Sequence, residues 1–289
     1  MVFAAFAVQN RLKSPHKEAF ADTKATVINM DLEIIDFHTH PFIEDDNNIC
    51  KHKENLKMSP DYTKEVFGQL GVSKICGSVI EGKGHHFDST WERLKHNNDI
   101  ALSLRDHYGD FYIPGFHVHP AFIEESIAEI HRMHKADVRL IGELVPYCDG
   151  WKDYSCEGFS VILDEAEKYD MIVNFHSSGD DEMDAMVKAH PNVTFVAAHP
   201  GEYAALMRHI DRMRMSDNYY LDLSGTGIFR YGAVRHLIDE VGSERLLFGS
   251  DYPTCAPGMY VGAILFDNTL TDTEKEMILA GNAKRLLRI

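Results

Sequence analysis

The chain has 289 residues, of which 44% are hydrophobic, and it carries a formal net charge of −16 when its histidines are neutral. This length suits one large domain, and so acidic a chain would repel a nucleic-acid backbone, which excludes nucleic acid as an expected partner. The five cysteines are odd in number and form no Cys-x-x-Cys pair, which argues against a disulfide framework.

The first residues open with a short apolar stretch that has no basic leader. We therefore interpret residues 1–31 as an N-terminal extension rather than a signal peptide, and residues 32–289 as the domain. No apolar run approaches the ~20 residues needed to span a bilayer. A cytoplasmic protein without a membrane partner is the expectation.

Short apolar runs rich in β-branched residues alternate with longer amphipathic stretches along the rest of the chain. This alternation predicts repeated βα units and a parallel sheet. The eight predicted strands are 33–38, 74–80, 112–117, 138–143, 171–176, 194–199, 219–223 and 245–249. Eight strands, each followed by a helix, is the number that closes a single (β/α)8 or TIM barrel, so the predicted fold class is α/β of this kind.

Capping residues mark several predicted helix ends. Ser59 stands before a proline and predicts a helix start, and Gly71 predicts the end of that helix. Gly242 follows a helix predicted over 233–241, and residues 271–274 have the pattern of a capping box.

An open, doubly wound sheet is the structural alternative. It would bind a ligand at a topological switch point, usually beside a glycine-rich first turn. No Gly-x-Gly-x-x-Gly motif follows the first predicted strand, and His38-Thr-His40 stands there instead. The barrel is therefore the favoured prediction.

Ionisable side chains stand at the ends of the predicted strands. They are His38 and His40 after strand one, Glu143 at strand four, His176 at strand five, His199 at strand six and Asp251 after strand eight. In a closed parallel barrel these ends converge on one face, and alternate positions such as His38 and His40 point the same way. A His-x-His pair alone is a weak signal, because His117 and His119 repeat it. The joint pattern predicts a site for zinc or a similar divalent ion.

The chain resembles the amidohydrolase-related family, in the branch that also contains aminocarboxymuconate-semialdehyde decarboxylase and related non-oxidative decarboxylases. Two segments carry most of the specificity, Ile35-Asp-Phe-His-Thr-His-Pro41 and Leu247-Phe-Gly-Ser-Asp-Tyr-Pro253. Further matching segments, in the family's order, are 71–74, 141–143, 174–176, 198–201, 220–224 and 282–287. The resemblance covers roughly residues 33–289 and implies a metal site at the C-terminal mouth of the barrel.

The resemblance also implies a role for each strand-end residue. His38, His40 and His176 match metal ligands, and Asp251 matches the carboxylate that binds the metal or takes a proton from its water. His199 matches a histidine that acts on the substrate in one-metal enzymes and is a ligand in two-metal enzymes. Glu143 stands where a carboxylate can bridge two ions. The expected cofactor is one or two divalent ions, Zn²⁺ before Mn²⁺ or Fe²⁺, and a homodimer is a further expectation.

The predicted activity is hydrolysis of an amide, lactone or ester of a small molecule, with Asp251 passing a proton from water to the leaving group. The alternative is a non-oxidative decarboxylase or hydratase that acts on a small carboxylic acid with the same ligands. A non-catalytic barrel that binds a metal or a small molecule is a third interpretation, which the filled set of chemical positions disfavours. His119, after strand three, and Arg230, after strand seven, are the candidate substrate contacts, Arg230 as a clamp for a carboxylate.

Overall fold

A computed structural model describes residues 31–43, 58–80 and 90–289. Eight parallel strands lie in the order of the sequence in one curled sheet. Their bounds are β1 Ile34–Asp36, β2 Val72–Ser78, β3 Tyr112–Phe116, β4 Leu140–Leu144, β5 Ile172–His176, β6 Thr194–Ala198, β7 Tyr219–Asp222 and β8 Leu246–Leu247. The backbone N–H of Phe37 donates to the carbonyl of Phe248 (2.8 Å), which brings the end of β8 against the end of β1. The fold is the predicted (β/α)8 barrel.

Helices lie between the strands and after the last one. Their bounds are α1 Pro60–Gln69, α2 Trp91–Tyr108, α3 Ile123–Lys135, α4 Pro146–Asp149, α5 Glu157–Lys168, α6 Asp180–Ala189, α7 Tyr203–Met215, α8 Ala233–Val241, α9 Pro257–Leu265, α10 Asp272–Glu276 and α11 Asn282–Leu287. A short 3₁₀ helix spans Gly109–Phe111, and a π-helical turn, Met277–Gly281, joins α10 to α11. No helix of the described residues is long and apolar enough to cross a membrane.

Two apolar clusters follow from the alternation of side chains along the strands. Ile34 of β1 and Phe195 of β6 belong to the large cluster between sheet and helices. Their neighbours in sequence, Ile35 and Val196, belong to a second cluster, which also includes Ala283 of α11. Since successive strand residues point to opposite faces, the second cluster fills the inside of the barrel below the strand ends.

The predicted helix ends are confirmed. The hydroxyl of Ser59 accepts a hydrogen bond from the backbone of Tyr62 at the start of α1, and Gly71 follows that helix with φ +75°. Gly242 caps α8, and Thr271 opens α10 in a capping box with its third residue.

The strands themselves are shorter than predicted at several C-terminal ends. His38, His199 and Gly249 were expected inside strands one, six and eight but lie just beyond them. His199 adopts φ 68°, and Asp251, after β8, adopts φ 60°. Both values are in the left-handed region, which is incompatible with a β-strand. The chain therefore leaves the sheet at these two residues. Of the predicted extension, residues 1–30 lie outside the described residues, and the division at residue 31 stays a prediction.

Candidate metal centre

The structure brings the strand-end residues together at the C-terminal face of the barrel. His38, His40, Glu143 and Asp251 are all buried, each with less than a tenth of its surface exposed. They come from the ends of β1, β4 and β8, which lie far apart in sequence. Burying this many ionisable groups is costly unless they are paired or hold a metal.

A first set of ligand atoms surrounds the two imidazoles that follow β1. Nε2 of His38 and Nε2 of His40 lie 3.2 Å apart. Oδ1 of Asp251 lies 3.8 Å from the former and 3.5 Å from the latter. Oε2 of Glu143 lies 3.4 Å and 3.3 Å from the same two nitrogens.

Hydrogen bonds on the far side of each ring determine which nitrogen is available to bind a metal ion. Nδ1–H of His38 donates to Oδ2 of Asp222 (2.9 Å), and Nδ1–H of His40 donates to the carbonyl of Ser78 (3.0 Å). In the neutral rings both Nε2 atoms therefore present lone pairs toward each other and toward two carboxylates. A group of lone pairs at these distances favours a cation at its centre. The donors fit a divalent metal ion bound by His38, His40 and Asp251, whose ligand atoms all lie within 4.8 Å of one another.

A second set of atoms faces the other oxygen of Glu143. Oε1 of Glu143 lies 3.0 Å from Nδ1 of His176 and 3.5 Å from Nε2 of His199, and the two rings have centroids 4.9 Å apart. Ligand atoms of His38, Glu143 and His199 also lie within 4.8 Å of one another, so the two sets adjoin at His38 and share Glu143. His176 therefore contacts the cluster at Glu143 and not at Asp251.

The charges of this cluster depend on one another. Burial opposes a charge on His40, but hydrogen bonds to Asp251 and Glu143 outweigh it and raise the pKa of His40 to about 9. Burial likewise opposes the charge of Glu143, but the neighbouring imidazoles, first that of His38, hold the pKa of Glu143 well below its usual range. For His199 burial is the larger effect and lowers the pKa of its imidazole. The carboxylates of Glu143 and Asp251 are stabilised by positive charge at the centre of the cluster. Protons on His38 and His40, or a metal ion, can supply that charge.

The sequence also shows to which protein family the chain belongs. The model of the amidohydrolase family matches residues 35–289. The chain belongs to the amidohydrolase family. Members of this family are enzymes, and a divalent-metal site is in keeping with the His, Glu and Asp cluster at the mouth. No curated protein matches the chain in sequence.

Solved structures of the same fold share little sequence with this amidohydrolase. A putative amidohydrolase from Staphylococcus aureus is 16% identical with a TM-score of 0.70, covering 89% of this chain and 100% of its own. The 5-carboxyvanillate decarboxylase of Sphingomonas paucimobilis is 15% identical with a TM-score of 0.67, covering 90% and 100%. A dihydroxybenzoic acid decarboxylase from Polaromonas with bound manganese is 12% identical with a TM-score of 0.67, covering 89% and 96%. At these identities the likeness establishes the fold alone.

The two predicted substrate contacts do not join the cluster. Nε2–H of His119 donates to the carbonyl of Asp149 (2.9 Å), and its Nδ1 accepts from the backbone of Ala121 (3.1 Å). Both ring nitrogens of His119 are therefore engaged by backbone. Arg230 is more than half exposed and pairs with Glu202 on the surface. The geometry gives neither residue support as a substrate contact, and both roles stay predictions.

Three residues near the site were not predicted for it. Asp222 and Ser224, at the end of β7, are fully buried behind the imidazoles. Tyr147 of α4 packs edge-on against His176, with centroids 5.2 Å apart, and is 40% exposed. Asp222 stands in a segment that resembles the family, but only the folded barrel shows that its carboxylate contacts His38.

Proposed function

We propose that this amidohydrolase hydrolyses an amide, lactone or ester of a small molecule at a centre for two divalent ions. The proposal rests on the way in which the two carboxylate oxygens of Glu143 face different pairs of histidines. One of its oxygens faces Nε2 of His38 and His40, and the other faces His176 and His199. A carboxylate placed between two sets of nitrogen ligands is suited to bridge two ions.

Each side of the centre has its own protein ligands in this proposal. His38, His40 and Asp251 would hold the first ion, His176 and His199 the second, and Glu143 both. Bound divalent ions polarise a carbonyl oxygen and lower the pKa of a coordinated water molecule. Zn²⁺ suits imidazole and carboxylate donors, and Mn²⁺ suits the carboxylates.

Asp251 is the proton carrier in this proposal. Its Oδ1 faces the two imidazoles after β1, whereas its Oδ2 lies 3.9 Å from the thiol of Cys255, a weak donor. Oδ2 therefore keeps a lone pair that can accept a proton from the attacking water and return it to the leaving group.

Non-oxidative decarboxylation is the second candidate, because the named activities among the similar structures support it better than hydrolysis. These structures include decarboxylases of 5-carboxyvanillate and of dihydroxybenzoate, one of them with bound manganese. A carboxylic acid bound at the same ligands would then lose carbon dioxide, and Asp251 or His199 would supply the proton that replaces it. Mn²⁺ would be the expected ion in that case.

An activity screen separates the two candidates. The purified protein, freed of metal and reloaded with Zn²⁺ or Mn²⁺, would be assayed against lactones, esters and amides, and against hydroxybenzoic acids with detection of released carbon dioxide. Metal-dependent release of acid or amine from the first panel supports the hydrolase. Turnover of the second panel alone would replace it with the decarboxylase, and turnover of neither panel under either metal would contradict both.

A further inference from the structure

Asp222 and Ser224 form a buried pair of polar side chains immediately behind the metal ligands. Oδ2 of Asp222 accepts from Nδ1–H of His38 (2.9 Å) and from the amide of Asn174 (3.2 Å). Oδ1 of Asp222 accepts from the backbone N–H of Ser224 (3.1 Å) and from the hydroxyl of Ser224. The carboxylate thus accepts four hydrogen bonds, and one of them comes from the serine hydroxyl.

The hydroxyl of Ser224 has one proton, which is committed to Asp222 because a carboxylate can only accept. Its oxygen also lies 3.0 Å from Nδ1 of His199. The same oxygen lies 3.2 Å from Nδ1 of His38, but the hydrogen on that nitrogen is donated to Asp222 at the shorter distance of 2.9 Å. With its own proton committed, Ser224 Oγ can only accept from this ring, so Nδ1 of His199 carries the hydrogen. The lone pair of the neutral ring is then on Nε2, which faces Oε1 of Glu143 at 3.5 Å.

The backbone after Ser224 encloses the same edge of the ring. Gly225 has φ +59°, and a Cβ at this position would lie only 2.2 Å from Nδ1 of His199. The backbone lies so close to this edge of the ring that Nδ1 of His199 has the hydroxyl of Ser224 as its hydrogen-bond partner among the described residues. The sequence Ser-Gly after β7 is therefore suited to hold one imidazole in one orientation.

We propose that Ser224 is a positioning residue that fixes His199 in the tautomer that binds the second ion. The proposal rests on the proposed two-ion function. Asp222 then connects the two sides of the centre, directly through His38 and by way of Ser224 through His199. Binding of the second ion comes to depend on a hydroxyl that contacts neither an ion nor a substrate.

Metal affinity in Ser224→Ala tests the proposal, with Ser177→Ala as the matched control. The hydroxyl of Ser177 lies at the same end of the barrel but donates to the carbonyl of Ala198, not to an imidazole. Equilibrium dialysis with Zn²⁺ should show two binding steps in the unmodified protein. Ser224→Ala should weaken one step by roughly 10- to 100-fold, and Ser177→Ala should change neither step. Equal weakening of both steps in Ser224→Ala, or no change in either, would overturn the proposal.

The tautomer itself can be read by ¹⁵N NMR of the histidine-labelled, metal-free protein, because an ion bound at Nε2 would by itself keep the hydrogen on Nδ1. The His199 ring should carry its hydrogen on Nδ1 in the unmodified protein and in Ser177→Ala, and should lose this single state in Ser224→Ala. A His199 spectrum unchanged by Ser224→Ala would overturn the role of the serine. A single ion per chain in dialysis would contradict the two-ion function instead, and the NMR result would still decide for or against Ser224.

Discussion

In the proposed mechanism, one oxygen of Asp251 binds an ion and the other carries a proton. A substitution that removes only the second of these roles is therefore informative. Asp251→Asn keeps the size of the side chain and an oxygen that can face His38 and His40, but its amide cannot accept the proton from water. We expect kcat to fall by roughly 10²- to 10⁴-fold, the usual contribution of a positioned acid or base, with little change in the midpoint of thermal unfolding. Steady-state kinetics on a turned-over substrate measures the loss.

Asp239→Asn is the matched control for this substitution. Asp239 is exposed and pairs with Arg235 on the surface of α8, so its loss should leave kcat unchanged. If Asp251→Asn retained the activity of the control, Asp251 would have no part in proton transfer.

Gly225 provides a second test at the scale of one residue. Gly225→Ala would place a methyl group against Nδ1 of His199 and should displace that ring, weakening metal binding by at least about tenfold, as changes around a ligand do. Gly71→Ala is the matched control, because Gly71 also has a positive φ, +75°, but nothing lies within 4 Å of a Cβ there. Both variants carry the backbone penalty of ~1–2 kcal/mol. Equal metal affinities of the two variants, measured by dialysis, would contradict the close packing around His199.

At the residue scale, the sequence indicates some of the proposed ligands but not the side chains that hydrogen-bond to them. His38 and His40 could be predicted because alternate residues of extended chain point the same way, although both lie just beyond β1 in the structure. Ser224 could not be predicted, because its contact with His199 joins the ends of two neighbouring strands. A serine after a strand is also too common to indicate a site. The same holds for Glu143, whose two oxygens are assigned to different imidazoles only by the positions of β1, β5 and β6.

At the element scale, strand positions are well predicted because β-branched runs and flanking caps are local signals. The exact strand ends are not well predicted, since they depend on where the backbone must leave the sheet. His199 and Asp251 both have positive φ without being glycine. Such a conformation is stabilised by the surrounding contacts, which a single sequence does not reveal.

The packing of α7 on β7 leads to a pH-dependent stability. His209 of α7 is fully buried and hydrogen-bonded to the hydroxyl of Tyr219 of β7 (2.8 Å). Burial, followed by the nearby Arg212, lowers the pKa of His209 to about 3. Because the unfolded chain binds this proton near pH 6.5, the stability that the neutral ring contributes is present above that pH and is lost as the pH falls toward 3.

His209→Gln should therefore make unfolding less sensitive to acid. For one such group the loss between pH 6.5 and 5.5 is roughly 1 kcal/mol, and urea denaturation at both values measures it. The glutamine variant should lack this loss, whereas Tyr219→Phe, which keeps the histidine, should retain it. An identical pH dependence in His209→Gln and in the unmodified protein would show that His209 binds its proton equally well in the folded and unfolded states, which would contradict the lowered pKa.

At the scale of the whole molecule, the proposed ligands follow five of the eight strands. An ion bound by His38, His40 and Asp251 would therefore connect the first strand to the last. The unfolded chain has no such site, and metal should stabilise the folded state by RT ln(1 + [L]/Kd), about 4 kcal/mol at a thousandfold excess over Kd. Removing metal with a chelator should lower the midpoint of thermal unfolding, and Zn²⁺ or Mn²⁺ should restore it. Identical midpoints with and without metal in differential scanning calorimetry would contradict a site assembled by folding.

The barrel explains why the joint pattern of strand-end residues was more informative than any single motif. Parallel closure converts eight distant positions into neighbours, so ionisable residues at five strand ends imply one site. The substrate could not be predicted in the same way, because the loops after the strands determine specificity and follow no periodic rule. The predicted homodimer, the cytoplasmic location and the absence of a nucleic-acid partner stay predictions.

A crystal structure of the metal-loaded protein, with anomalous diffraction recorded at the absorption edge of the metal, tests the metal centre directly. We expect an anomalous peak at ~2.0–2.2 Å from Nε2 of His38, Nε2 of His40 and Oδ1 of Asp251, and a second peak between Oε1 of Glu143 and His199. Metal-saturated crystals with no peak at the ends of β1 and β8 would contradict the account.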